Sequence, residues 1–162
     1  MLAAALSCQG KIAATAGNLN NHFGLPLSLS RMPADCDYGV FEMGMNHAGE
    51  LTRLSQMVRP LVAIVTTVEP AHLEFFDSVD DIAHAKAEIF DGLEPGGTAV
   101  LNRDNAYFGI LAAAARHVGA EILTFGAHTD CDFRLSGCAL RPNGSTVSLA
   151  YKGQEISYSL NA

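Results

Sequence analysis

The sequence predicts an α/β fold: a mostly parallel sheet flanked by helices, passing into a C-terminal antiparallel β meander. Three observations carry this. From about residue 38, short apolar and often β-branched runs alternate with stretches of helical periodicity. After about residue 130 the apolar period falls to two. Turn signals, Pro142-Asn143-Gly144 and Lys152-Gly153, then separate the alternating runs.

Taken in order, residues 1–9 suit a helix stopped by Gly10. Tyr38 to Glu42, Leu61 to Val68, Thr98 to Leu101 and Glu121 to Phe125 read as strands buried on both faces, as parallel sheets require. Three amphipathic helices lie between or after them. Leu51, Leu54 and Val58 stripe the first, and Ile82, Ala85 and Ile89 the second; Ile110, Leu111, Ala114, Ala115 and Val118 stripe the third. Ser78 and Asp81 form a capping pair for the second helix. In the tail, Phe133 and Leu135, then Val147, Leu149 and Tyr151, then Ile156, Tyr158 and Leu160 alternate with polar residues. Gly137 falls where that alternation slips, which marks a bulge. The reading is one domain over 1–162, with an α/β part at 1–128 and an antiparallel part at 129–162.

Composition limits the function. The 162 residues are 49% hydrophobic and 17% charged, which suits a chain with a packed core rather than a disordered one. No apolar run approaches the ~18 residues a membrane span needs. A net charge of −7 disfavours binding to a nucleic-acid backbone, though not to a single nucleotide held through a cation. Cys8, Cys36, Cys131 and Cys138 form no C-x-x-C pair and read as buried thiols of a cytoplasmic protein. Two decoys fail. Gly10-Lys11 lacks both the upstream glycine and the following Ser or Thr of a phosphate loop, and His72-Leu73-Glu74 lacks the P-C-x-x-C of a zinc deaminase.

In open α/β sheets, ligands bind at the carboxyl ends of strands. Three such ends carry polar residues: Glu42 with Gly44, Asn46 and His47; Glu69 with His72; and Asn102 with Asp104. Each has an ordinary structural reading, as a solvated charge, a surface histidine or a helix cap. Lys86 is less ordinary because it shares the apolar face of its helix with Ile82 and Ile89. It either snorkels to water or sits where desolvation favours the neutral amine, which can add CO₂ to give an anionic carbamate.

Five ordered segments of the sequence resemble the Mur ligases. They are Thr15-Ala16-Gly17-Asn18-Leu19-Asn20-Asn21, Phe41-Glu42-Met43-Gly44-Met45-Asn46-His47-Ala48-Gly49-Glu50, Ala71-His72-Leu73-Glu74, Ala85-Lys86-Ala87-Glu88-Ile89-Phe90 and Leu101-Asn102-Arg103-Asp104-Asn105. The resemblance implies the central, P-loop NTPase-like ATPase domain of a carboxylate–amine ligase that uses ATP and Mg²⁺. The forms T-x-G-N-x-N-N and G-M-N-H-x-G-E resemble the family member whose substrates are UDP-N-acetylmuramoyl-tripeptide and D-alanyl-D-alanine, in cytoplasmic peptidoglycan precursor synthesis. By that resemblance Glu42 binds the Mg²⁺ between the ATP phosphates. His72 lies at a second Mg²⁺, Lys86 is carbamylated, and Asn102 contacts adenine with Asp104 nearby. Asn20 and Asn21, with Asn46 and His47, face the muramoyl peptide.

Family members also carry a phosphate loop ending Gly-Lys-Thr or Gly-Lys-Ser, a UDP-holding domain and a C-terminal domain, for which this sequence has no counterpart. The expectation is therefore an interior piece of the central domain, inactive alone and prone to self-associate. A non-catalytic scaffold that kept the fold, or a sibling ligase using another amine, are the alternative readings.

Overall fold

The computed structural model describes residues 2–71 and 73–161, so His72 lies outside the described residues. The chain runs α1 (Leu2–Leu6), β1 (Ile12–Ala14), α2 (Gly24–Ser30), β2 (Tyr38–Val40), α3 (Glu50–Val58), β3 (Val62–Val65) and α4 (Val79–Ala87). A 3₁₀ helix (Glu88–Gly92), β4 (Thr98–Asn102), α5 (Phe108–His117), β5 (Glu121–Gly126), β6 (Phe133–Arg141), β7 (Gly144–Tyr151) and β8 (Gln154–Asn161) follow. β1 and β2 form a small parallel sheet, and the other strands form a six-stranded sheet in the order β3-β4-β5-β6-β7-β8. Pairing is parallel from β3 to β6 and antiparallel from β6 to β8, as the sequence predicts. No helix among the described residues is long and apolar enough to cross a membrane.

Several elements differ from the sequence reading. The strand read from Tyr38 to Glu42 ends at Val40 and pairs with β1 outside the six-stranded sheet, so Glu42 lies two residues beyond the strand rather than closing it. β1 is new; its three residues are too short to show a period. α2 is also new, since the sequence reading assigns no element between Gly10 and Tyr38. Pro26 sits in the first turn, where a missing N–H costs no helical bond, so the helix survives it. Strand Leu61 to Val68 shortens to β3 because the next carbonyls pair with side chains. Asn102 Nδ2 donates to Thr66 O at 3.0 Å, and Asn105 Nδ2 to Val68 O at 3.0 Å.

The core lies on one side of the sheet only. Ala63 and Val65 of β3 register with Ala99 and Leu101 of β4, and these pack against Leu54, Ile82, Phe90 and Leu111. The expected burial on both faces does not hold. Val62 is 53% exposed and Ile64 39%, and no residue in register with them on β4 or β5 joins the core. The reason is topological. Strands β3, β4 and β5 are added in one direction, so crossovers of one hand put α4 and α5 on the same side. Covering the second face would take a reversal of strand order.

Local chemistry fixes the joints. Ser78 Oγ accepts the Asp81 N–H at 3.1 Å and caps α4 as expected. The buried Ser55 hydroxyl donates to Ile89 O and accepts the Gly92 N–H at 3.1 Å, tying α3 to the 3₁₀ helix. A Cβ on Gly92 would meet the Ser55 carbonyl carbon at 2.1 Å, so only glycine permits that approach. The β6–β7 register shifts between Leu135 and Gly137, the expected bulge. Lys152 and Gly153, at φ 48° and 78°, make the tight β7–β8 turn. None of the four cysteines is buried, contrary to the sequence reading; Cys8 and Cys138 are exposed, because α1 and the meander lie outside the core.

Asp132 clamps β6 to β5. Its Oδ2 accepts the Thr124 hydroxyl at 2.7 Å and the Thr124 N–H at 2.8 Å, and these bonds hold its carboxyl below the usual range. A depressed carboxyl stabilises the fold above its unfolded pKa, and the effect is lost as pH falls through the folded value. Urea midpoints followed below pH ~4 should therefore fall more gently for Asp132→Asn than for the wild type. Gly92→Ala should cost about 3 kcal/mol by equilibrium denaturation, through overpacking against backbone that cannot yield.

Candidate active site

The sequence candidates separate into two groups. The first lines a cavity of about 420 Å³ bounded by Asn20, Asn21, Glu42, Asn46, Glu50 and Lys86, with Met43 and Met45 beside them. Three segments distant in sequence build it: the turn before α2, the run from Glu42 into the first turn of α3, and the last turn of α4.

Glu42 is held from both sides. Its N–H donates to Thr15 Oγ1 at 3.1 Å, and its Oε1 accepts from Asn20 Nδ2 at 2.8 Å. Its Oε2 has no hydrogen-bond partner among the described residues. Asn20 also accepts the Gly44 N–H on its main-chain oxygen at 2.8 Å, so one residue fixes the carboxylate and the backbone two positions on. Asn21 works locally: its Oδ1 accepts the Phe23 and Gly24 N–H groups at 3.1 and 3.0 Å and starts α2.

The loop into α3 depends on two carboxylates that sequence reasoning missed as participants. Glu50 Oε2 accepts the Asn46 N–H at 2.8 Å and the His47 N–H at 3.3 Å, and these bonds, the Asn46 one foremost, draw its carboxyl pKa down. Glu88 Oε1 accepts the Gly49 N–H at 2.6 Å and Oε2 the Thr52 N–H at 3.4 Å, capping α3 from the end of α4. Glu50 and Glu88 lie inside quoted segments, but no spacing rule distinguishes a capping glutamate there from a solvated one. Asn46 faces the cavity. His47 does not; its ring packs 4.9 Å from Phe75 and its Nδ1 lies 3.3 Å from Glu50.

Lys86 comes from the last turn of α4 and is half-buried. Burial pulls its amine pKa below the ordinary lysine value, and no hydrogen bond or ion pair holds its Nζ among the described residues. The Lys86 side chain lines the same cavity as Glu42.

Asn102 and Asp104 are not part of this cavity. Asn102 joins β4 to the end of β3, and its Oδ1 accepts the Asp104 N–H at 3.0 Å. Asp104 accepts the Ala127 and His128 N–H groups at 2.6 and 2.9 Å, and these two bonds, Ala127 first, lower its pKa. Both residues organise the carboxyl ends of β3, β4 and β5.

Among the described residues no three His, Cys, Asp or Glu side chains stand close enough to hold a metal ion. His72 lies outside that set. The donors that are described suit a hard cation, because Glu42 offers an unengaged carboxylate oxygen and a carbamate on Lys86 would add two more oxygens.

Comparison with known proteins gives this geometry a family. A UDP-N-acetylmuramoyl-tripeptide–D-alanyl-D-alanine ligase of Rickettsia prowazekii is 35% identical over 141 residues, 86% of this chain and 31% of the relative. The MurF crystal structure from Acinetobacter baumannii superposes with a TM-score of 0.91 at 29% identity, covering 99% of this chain and 34% of that one. MurF ligase from Thermotoga maritima in complex with ADP gives 0.83 at 25% identity, covering 97% of this chain and 36% of that one. The chain thus spans about a third of the length of its relatives. The family model described as the Mur ligase middle domain matches residues 1–162, and the chain belongs to that family.

Proposed function

We propose that this chain is the nucleotide-handling core of a ligase that adds D-alanyl-D-alanine to UDP-N-acetylmuramoyl-tripeptide in cytoplasmic peptidoglycan precursor synthesis. The observation that carries the reading is the shared cavity: Glu42, Lys86, Asn20 and Asn46, chosen from sequence, border one space of about 420 Å³. The printed names of its relatives supply the substrates, and the ADP complex of one neighbour supports nucleotide use.

In the reaction, a carboxylate oxygen of the tripeptide attacks the γ-phosphorus of ATP and the bond to the β-phosphate oxygen breaks, releasing ADP. The D-alanyl-D-alanine amine then attacks the acyl phosphate carbon. Phosphate leaves and the nitrogen loses its proton. Mg²⁺, when bound, neutralises the charge gathered on the phosphates. Glu42, with one oxygen fixed by Asn20, and a carbamylated Lys86 would hold that cation, with His72 as the further ligand proposed. Lys86 suits carbamylation because its desolvated amine is neutral more often than that of a surface lysine. Asn46 would contact the peptide substrate. Asn102 and Asp104 would border the adenine through the loops they organise. Asn21 and His47 are already committed to local contacts, which argues for an indirect role.

Phosphate release that depends on D-alanyl-D-alanine, measured on the gene product that carries this sequence, tests the reading. Glu42→Ala should lower turnover by about a hundredfold or more. Release that instead follows glutamate as the acceptor would favour the sibling ligase.

The lysine can be tested separately. Carbon-13 bicarbonate should give a carbamate resonance that Lys86→Ala removes, and a short carboxylic acid should partly restore the activity of that variant. A variant with wild-type turnover would remove Lys86 from the mechanism.

A further inference from the structure

The helix that follows the cavity loop has no cap of its own. Gly49 occupies the N-cap position of α3 at φ 85°, with no side chain to accept the free amides of the first turn. Two carboxylates supply the acceptors instead. Glu50 Oε2 takes the Asn46 and His47 N–H groups from next to the loop. Glu88, 39 residues along the chain from Gly49, takes the Gly49 and Thr52 N–H groups at 2.6 and 3.4 Å.

Glu88 also stands two residues from Lys86. Ala87 and Glu88 both keep helical backbone, at φ −65° and −56°, so no hinge separates the amine from the carboxylate. On the other side, the Glu50 bonds leave the stretch from Asn46 to Gly49 little freedom. Asn46 and Lys86 border one cavity, and the Glu88–Gly49 bond joins their two supports. That bond contributes little to holding the fold together. Gly49 is exposed and water competes for its N–H, while the buried Ser55 hydroxyl and the apolar core secure the body of α3. What the bond does fix is where the loop lies against the end of α4.

We propose that Glu88 is a positioning residue for the ligase reaction, tethering the loop of Asn46 to the helix end that carries Lys86. This rests on the functional reading above, with Asn46 at the peptide substrate and Lys86 at the cation. A displacement of about 1 Å in a site can cost roughly a hundredfold in rate, so a slack tether is felt in turnover first.

Three variants of the gene product that carries this sequence separate reach, charge and stability. Glu88→Asp keeps the charge but ends one methylene short of Gly49. Glu88→Gln keeps the length and a carbonyl oxygen for the Gly49 N–H, and loses the charge. Thr52→Val keeps its N–H and removes only the hydroxyl bond to Asp91 in the same interface. Glu88→Asp should lower kcat for phosphate release with D-alanyl-D-alanine about tenfold, leaving the KM for ATP within about twofold of wild type. Glu88→Gln and Thr52→Val should keep kcat within about threefold. Hydrogen exchange on protein stripped of divalent cations gives a readout without turnover. The segment from Asn46 to Gly49 should exchange faster in Glu88→Asp and not in the other two. Wild-type kcat or unchanged exchange in Glu88→Asp overturns the proposal. So does an equal loss in Thr52→Val, which would make the whole interface responsible, or in Glu88→Gln, which would make the charge responsible. Wild-type protein that releases no phosphate with D-alanyl-D-alanine overturns the functional reading instead, and the exchange result then still decides whether Glu88 tethers the loop.

Discussion

The grip of α3 on the segment that ends α4 is the constraint on which the cavity depends. Ser55 bridges Ile89 and Gly92 from inside the core, while Glu88 caps the first turn of α3 and Asp91 accepts the Thr52 hydroxyl at 2.5 Å. These bonds attach to opposite ends of the same short interface, so α3 can neither slide nor rotate against it. Lys86 stands two residues before Glu88, and Asn46 three before Gly49. Fixing Glu88 on Gly49 therefore fixes the amine relative to the loop it faces. Burying Ser55 without its two partners would cost about 1–3 kcal/mol, so the grip is also self-enforcing.

Polar residues at the strand ends divide their labour. Asn102, Asp104 and Asn105 spend their hydrogen-bonding capacity on backbone groups of neighbouring loops. Glu42 keeps its Oε2, and Lys86 its amine, without a hydrogen-bond partner among the described residues. A preorganised ligand site uses both kinds. The first set removes the freedom of the loops before a ligand arrives, and the second retains charge and lone pairs for it.

Periodicity made the long elements legible. α3, α4, α5 and the three meander strands follow from spacing alone, because each buries or presents one continuous stripe. β1 and α2 were not legible: three residues carry no period, and Pro26 resembles a breaker until its first-turn position is known. The two-sided burial assumed for the parallel strands failed because composition reports which residues are apolar, not whether a helix arrives to cover them. Within the site, residue type alone left Glu42 an ordinary solvated charge and helix face left Lys86 between snorkelling and desolvation; the resemblance singled both out. Glu50 and Glu88 were not legible, since their role is defined by which backbone amides lie opposite them in space. Asn102 and Asp104 were correctly placed at strand ends, yet their hydrogen-bond partners are visible only in three dimensions.

The junction between β5 and β6 has a mechanical consequence. Those strands pair over two positions only, Phe125 with Phe133 and Gly126 with Arg134, and β6 then runs on past the end of β5. The meander is thus a cantilever, fixed at its root by Asp132 and free along most of its ~23 Å of overhang. Displacement in a cantilever grows with distance from the root. The tip around Arg141 and Gly144 should sweep the widest arc, while Phe133 and Tyr151 hardly move. The amides of β8 then exchange with solvent long before those of β4, which places the meander in a separate cooperative unit from the helical core.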